Sequence, residues 1–217
     1  MSKSCYFCGE PATSRDHVPP RVFFPEVKDL GQHYGDLRKQ LVTVPSCALH
    51  NGEQSRDDEY TALIVMVSIT NEDIGADHFL SKFRRTMERS PRFRSMLEAS
   101  LTPTVSDGHQ TASLRIDQGR YGGVMARISR GLHFHEVGTR LNGRLHIDTP
   151  CLGTGSPEVG FRDASRSHPA DLQVKWVGDP RIFEYALAVE PFYLHMKFYG
   201  GFDVFVTPAT TAERDDL

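Results

Sequence analysis

Cys5 and Cys8 stand with two residues between them at the start of the chain, and Cys47 and His50 repeat that spacing after a long insert. Three thiols and an imidazole in two such pairs have the donor types and spacing of a closed tetrahedral zinc site. A closed four-ligand site has no open position for a substrate, so its work is folding rather than catalysis. Asp16-His17 lies between the two pairs and Asn51 directly follows the second, and a structural zinc needs none of these three. A carboxylate and an amide oxygen suit Mg2+ or Mn2+, and a neutral imidazole can take a proton from water near pH 7. Together they are the parts for activating a water against a phosphodiester, so they point to nuclease chemistry. Arg15 and Arg21 flank the Asp-His pair and are placed to touch phosphate.

The order C-x-x-C, D-H-x-x-P and C-x-x-H-N, running from Cys5 to about Tyr60, resembles the HNH endonuclease superfamily, the ββα-metal or treble-clef nucleases. The stretches Arg15-Asp16-His17-Val18-Pro19-Pro20 and Val44-Pro45-Ser46-Cys47 resemble a bacterial branch of it. That resemblance implies His17 as the general base, Asp16 and Asn51 as ligands of a catalytic Mg2+ or Mn2+, Cys5, Cys8, Cys47 and His50 as ligands of a structural zinc, and a nucleic acid, DNA first of all, as substrate. Two positions depart from the pattern. His50 stands where most relatives have Cys, and the middle Asn, which in relatives steadies the loop carrying the base, has only Gln40 or Thr43 near its place. The alternative is a non-catalytic zinc-knuckle module that binds nucleic acid or protein, with Asp16, His17 and Asn51 as remnants.

The rest of the composition sets bounds. At 217 residues, with 39% hydrophobic and 24% charged residues, the chain has room for one good core plus a small appended module. No run approaches the roughly 20 apolar residues of a membrane span, and Met1-Ser2-Lys3-Ser4 leads straight into the first Cys pair. A cytoplasmic setting without membrane partners is the expectation. There the four cysteines read as metal ligands plus one spare, Cys151, which is expected to be a small buried hydrophobe. The net charge of −3 does not advertise a nucleic-acid partner, but Lys82, Arg84, Arg85, Arg89, Arg92 and Arg94 form a dense basic cluster. It is either a phosphate-gripping surface or, as charge runs usually are, a solvated helix face.

These residues must be held by the elements around them. Residues 1–60 are rich in Pro, Gly, Cys and His and poor in periodic apolar stretches, as expected of a metal-stapled module with a short strand at Gln40–Val44. Residues 61–217 are expected to form a mixed helical and antiparallel-sheet domain, so the class is α+β. Tyr60 to Thr70 and about Asp77 to Glu88 read as helices, with a shorter one through Phe93 and Leu97. A strand is expected at Ala112–Ile116 and a helix within Tyr121–Leu141. Apolar alternation from Phe192, followed by Gly200-Gly201 and the apolar run from Phe202, predicts a hairpin with a two-residue turn. Residues 209–217 read as a polar tail. Within a helix His133 and His135 point to different faces, so they are expected to be structural rather than chelating. Asp57, Asp58 and Glu59 suit a helix N-terminus without needing a metal.

Overall fold

The computed structural model describes residues 4–30, 34–39, 41–52, 55–68, 71, 73–106, 109–152 and 174–209. The expected tail and Gln40 lie outside them, except for Ala209. Strand β1 (Ser14–His17) pairs antiparallel with β2 (Thr43–Ser46), setting Asp16 opposite Val44 and His17 opposite Thr43. The chain between them makes a 3-10 turn at Arg21–Phe23 and a one-turn helix α1 (Val27–Leu30). After β2, the backbone turns at Cys47 directly into α2 (Ala48–Gly52), because the amides of His50 and Asn51 both donate to the Cys47 carbonyl. The hairpin and its helix are short, and Ser46 and Val44 are their most deeply buried residues.

Helix α3 (Ser55–Val67) carries a continuous buried run from Tyr60 to Met66. Asp57 and Asp58 lie in its first turn, where carboxylates favour the helix dipole, and each also meets an arginine of a later helix. Asn71 caps the other end by donating to the carbonyls of Val65 and Met66. The helix expected at Asp77–Glu88 is longer and has a defect in it. It begins as α4 (Asp73–His78), widens into a π turn at Phe79–Phe83, and resumes as α5 (Arg84–Arg89). Pro91 starts α6 (Pro91–Ser100), and β3 (Leu101–Ser106) pairs with β4 (His109–Leu114) in a hairpin of their own.

The long helix α7 (Gln118–Val137) is capped by the Asp117 side chain at its start and by Gly138 in the left-handed region at its end. It lies against α3, where the Arg127 guanidinium pairs with Asp58 and Arg120 sits both on Asp57 and over the Tyr60 ring. Five antiparallel strands complete the fold: β5 (Leu145–Asp148), β6 (Trp176–Asp179), β7 (Phe183–Ala188), β8 (Tyr193–Phe198) and β9 (Phe202–Pro208), in the order β5-β9-β8-β7-β6. Strand period two puts Leu194, Met196 and Phe198 of β8 and Phe202, Val204 and Val206 of β9 on one face, and all six are fully buried. They belong to one apolar cluster with Ile64 of α3, Ile128 and Leu132 of α7, and Tyr6, Val18 and Phe23 of the N-terminal segment. The architecture is α+β, and among the described residues no helix is long and apolar enough to cross a membrane.

The hairpin expected after Phe192 forms, but its turn has three residues instead of two. Phe198 pairs with Phe202, and Tyr199 and Gly200 both take positive φ, 48° and 72°. A tyrosine in that region is unusual, and its side chain shows what holds it there. The hydroxyl donates to the carbonyl of Phe23 and lies 2.8 Å from Nδ1 of His78. Its one proton is spent on that carbonyl, so Nδ1 carries a hydrogen and donates to the hydroxyl oxygen, while Nε2 faces Asp29 at 4.0 Å. Burial holds the His78 imidazole down at about 3, with Lys82 adding to the effect and Asp29 opposing it.

A histidine depressed in the fold titrates near 6.5 once unfolded. The unfolded chain therefore binds the extra proton between pH 6.5 and 3, and stability falls as pH drops through that window. Each pH unit below 6.5 should cost about 1.4 kcal/mol from this group. His78→Gln keeps a donor to Tyr199 without the titration, so denaturant melts at pH 7, 6 and 5 should show a shallower loss in the variant. Parallel slopes would contradict the assignment.

Candidate active site and metal centre

The first knuckle is built by backbone hydrogen bonds. Gly9 donates to the Cys5 carbonyl at 3.0 Å with φ of 84°, closing a tight turn that a side chain at this position would strain. The Tyr6 amide donates to Pro45 and that of Thr13 to Ser46, which ties the knuckle to the second strand of the hairpin. The thiols of Cys5, Cys8 and Cys47 and a ring nitrogen of His50 then lie within 4.8 Å of one another. Cys8 and Cys47 sulfurs are 3.7 Å apart, and Nδ1 of His50 is 3.2 Å from the Cys47 sulfur and 3.9 Å from that of Cys5. A tetrahedral ion with metal–sulfur bonds of about 2.3 Å requires sulfur–sulfur edges near 3.8 Å. The four residues are thus close enough, and spaced suitably, to hold one metal ion.

The electrostatics of the cluster agree. Burial pushes the Cys5 thiol up, but the amides of Cys8, Cys47 and Phe7 aimed at its sulfur outweigh it and bring the group down to about 7. For Cys8 the Glu10 amide favours the thiolate, yet burial and the sulfurs of Cys5 and Cys47 leave it above its ordinary value. One thiolate is prepared by the backbone, and further thiolates beside it need a cation. His50 is stacked on the Phe7 ring at 4.5 Å, which fixes the imidazole plane.

β1 emerges from this knuckle and carries Asp16 and His17. Strand alternation sends Ser14 and Asp16 to one face and Arg15 and His17 to the other. Asn51, on α2, docks on the first of these faces by donating from Nδ2 to Ser14 Oγ at 2.8 Å and to the Arg15 carbonyl at 3.2 Å. A carbonyl only accepts, so this bond settles which way the amide lies and leaves Oδ1 as its open donor to a cation. The Asp16 carboxylate accepts from the Tyr6 hydroxyl at 3.1 Å. Burial raises it, while the hydroxyl and the charge of Arg127 pull the other way. Asp58, which pairs with Arg127, is also raised by burial and feels Asp16 as a neighbouring negative charge.

Burial and then the charge of Arg21 hold the His17 imidazole below its ordinary value, with Arg15 and Arg38 adding to the effect. The adjacent Asp16 carboxylate opposes this, yet the balance favours the neutral imidazole. Arg15 is partly committed, its Nε and Nη2 lying on Thr43, the residue opposite His17. Thr43 thus zips the hairpin through Arg15. Arg21 is exposed. Arg15, Asp16 and His17 thus lie on one strand of the hairpin, Asn51 docks on that strand from α2, and Arg21 lies in the turn that follows.

The sequence reading missed what fixes the hairpin from behind. A Cβ at Gly131, in mid-α7, would lie 2.4 Å from Cγ1 of Val18, the buried residue after His17. The helix is bare there so that the end of β1 can press into it. The only hint in the sequence is a glycine inside an otherwise helical pattern.

Most of the other candidates have partners of their own, and His135 is exposed. His133 packs on Phe192 and bonds the Thr139 carbonyl, and Glu136 accepts from Tyr185. In the basic cluster, Arg84 pairs with Glu88 and Arg94 with Glu98 along the helices, Arg85 with Asp29, and Lys82 with a backbone carbonyl. Cys151 is half-buried. A cavity of about 840 Å³ lies elsewhere, between the first turns of α7 and β5, and none of the candidate residues lines it.

Compared with known proteins, the chain matches no family model, no curated protein and no solved structure.

The purified chain should carry one tightly held metal ion, and Cys47→Ser should lose it along with cooperative melting of the N-terminal segment. Elemental analysis beside a thermal melt checks this; a metal-free variant melting like wild type would contradict it. Gly131→Ala, which ordinarily strengthens a helix by about 1 kcal/mol, should here destabilise by about 1–3 kcal/mol through overpacking against Val18. A raised melting temperature would show that the contact is slack.

Proposed function

We propose that this protein is a metal-dependent endonuclease of the HNH type, hydrolysing phosphodiester bonds in nucleic acid, DNA first of all. The supporting observation is the docking of Asn51 on the carbonyl of Arg15, the peptide that leads into Asp16-His17, directly beside the Cys5, Cys8, Cys47 and His50 cluster. A β-hairpin followed by a short helix, fastened by that cluster, has the outline of a treble-clef ββα-metal module.

The soft donor set of three thiols and an imidazole suits zinc, and its closed geometry makes the ion structural. Asp16 and the free Oδ1 of Asn51 share a face of the hairpin and are hard oxygen donors, which suit Mg2+ or Mn2+. When bound there, that ion supplies charge to polarise the scissile phosphate and stabilise the leaving oxygen. His17 is neutral at working pH, so its ring nitrogen can take the proton of the attacking water. Its side chain leaves β1 on the opposite side from Asp16. The substrate therefore reaches both across the end of the strand, where the chain turns away at Val18-Pro19. Arg21, exposed and acting on His17, draws the phosphate in and keeps the imidazole from holding a proton before catalysis. Arg15 closes the hairpin opposite His17 and adds positive field.

One observation favours a second function, a non-catalytic binding module. The Asp16 carboxylate is turned to the Tyr6 hydroxyl and lies in the field of Arg127, a cation already present near the would-be metal ligand. The two functions differ in their dependence on divalent ions. His17→Ala should keep the zinc and the fold and lose plasmid cleavage by at least about a hundredfold. Asp16→Ala should keep zinc and melting temperature while losing calorimetrically detectable Mn2+ binding. Cleavage unaffected by the first change would remove His17 as the base, and identical Mn2+ titrations for wild type and Asp16→Ala would favour the binding module.

A further inference from the structure

The backbone immediately after His17-Val18-Pro19-Pro20 is held in an unusual way. The carbonyls of Arg21, Val22, Phe23 and Phe24, four in succession, each accept a hydrogen bond from a side chain outside the turn, that of Arg21 in addition to the Phe24 amide. Arg38 takes two of them, reaching Phe24 from Nε at 2.9 Å and Nη2 at 2.7 Å, and Arg21 from Nη2 at 3.4 Å. Lys82 takes the Val22 carbonyl at 3.1 Å across 60 residues of sequence, and the Tyr199 hydroxyl takes that of Phe23 across 176. The last carbonyls of a short helical turn are ordinarily left to water. Here two cations and a phenol, from three separate stretches of the chain, are brought in to meet them.

Two of these donors, Lys82 and Tyr199, are themselves placed at a cost. Lys82 sits within the π turn of Phe79–Phe83, a rare helical defect that recurs at functional positions. Its ammonium is pushed down by burial, which water at its carbonyl partner would not demand. Tyr199 stands in the left-handed region. Arg38 is braced from its far side by Glu26 at 2.8 Å. Phe23 and Phe24 are buried, so the turn is nailed on its apolar side as well. What remains exposed on the turn is the side chain of Arg21, whose charge acts on His17.

We propose that Arg38, Lys82 and Tyr199 are positioning residues which clamp the carbonyls of residues 21–24 and so hold Arg21 beside His17, ready for a phosphate. This rests on the nuclease function proposed above and assigns to the helices and sheet beyond residue 60 a direct part in it. The clamp delivers through Lys82 and Tyr199 the rigidity that the hairpin, with Thr43 spent on Arg15, does not supply to this loop.

The test uses the full-length, metal-loaded chain and the variants Lys82→Met, Lys82→Arg, Arg21→Ala and the double change Lys82→Met with Arg21→Ala. Amide exchange and the His17 ring resonances are followed by NMR, and Mn2+-supported plasmid cleavage is measured alongside. In Lys82→Met the amides of Phe23 and Phe24 should exchange about tenfold faster, the scale of losing one charge-assisted hydrogen bond, while those in the middle of α7 stay as they were. The His17 ring should shift in the direction seen in Arg21→Ala, and Lys82→Arg should restore both signals. Cleavage by Lys82→Met should lose mainly through a raised KM, and Lys82→Met should add nothing once Arg21 is gone. Unchanged exchange at Phe23 and Phe24, or effects of the two changes that multiply, would overturn the proposal. A wild-type chain that cuts nothing yet shows the exchange and ring shifts would remove the nuclease function and leave the clamp standing.

Discussion

Three sulfurs and an imidazole nitrogen gathered within 4.8 Å do not attract one another; without a cation they compete for protons. The backbone nevertheless delivers them there, aiming amides at the Cys5 sulfur and folding the Cys47 turn straight into a helix. Everything in the candidate site hangs on this gathering. It fixes where β1 leaves the first knuckle and where α2 starts, and so brings Asn51 onto the face of the hairpin that carries Asp16. A metal ion held by these four residues would supply the attraction that the apolar contacts of so short a hairpin cannot. The rest of the module is then held from outside, by Val18 pressed into the bare turn of α7 at Gly131 and by Phe23 inserted against Phe198 of the sheet.

The larger part of the chain is thus more than an appendage. Its apolar cluster runs without a break from the inner face of the sheet through α3 and α7 to Tyr6, Val18 and Phe23. The polar contacts follow the same route: Arg127 meets Asp58 and acts on Asp16, while Lys82 and Tyr199 hold the turn behind His17. Both halves of the candidate chemistry, the carboxylate and the imidazole, therefore lean on residues beyond position 60.

Much of this is legible in the sequence where the signal is local. Cys5, Cys8, Cys47 and His50 announce themselves by donor type and spacing, since a knuckle is a short turn whose geometry a few residues determine. The apolar runs of α3 and the alternation of β8 and β9 likewise carry their burial on their face. The defects are not legible. The π turn at Phe79–Phe83 interrupts a regular apolar spacing that looks like ordinary helix, and the three-residue turn at Tyr199 hides behind Gly200-Gly201, which suggests a tighter one. Both carry a side chain that reaches a carbonyl of a remote turn. Contacts across 60 and 176 residues leave no periodic trace. In the basic cluster, Arg84 and Arg94 meet carboxylates four residues on, a local pairing, whereas the partner of Arg85 is Asp29, 56 residues away, and leaves no local trace.

The central claim is that two cations of different character divide between two donor sets, and a diffraction experiment tests it most directly. Crystals grown with zinc and soaked in Mn2+ should give an anomalous peak at the zinc edge among Cys5, Cys8, Cys47 and His50. A separate peak at the manganese edge should lie between the Asp16 carboxylate and Oδ1 of Asn51. Zinc at the first site with no manganese at the second, and Asp16 still bonded to Tyr6, would contradict the account.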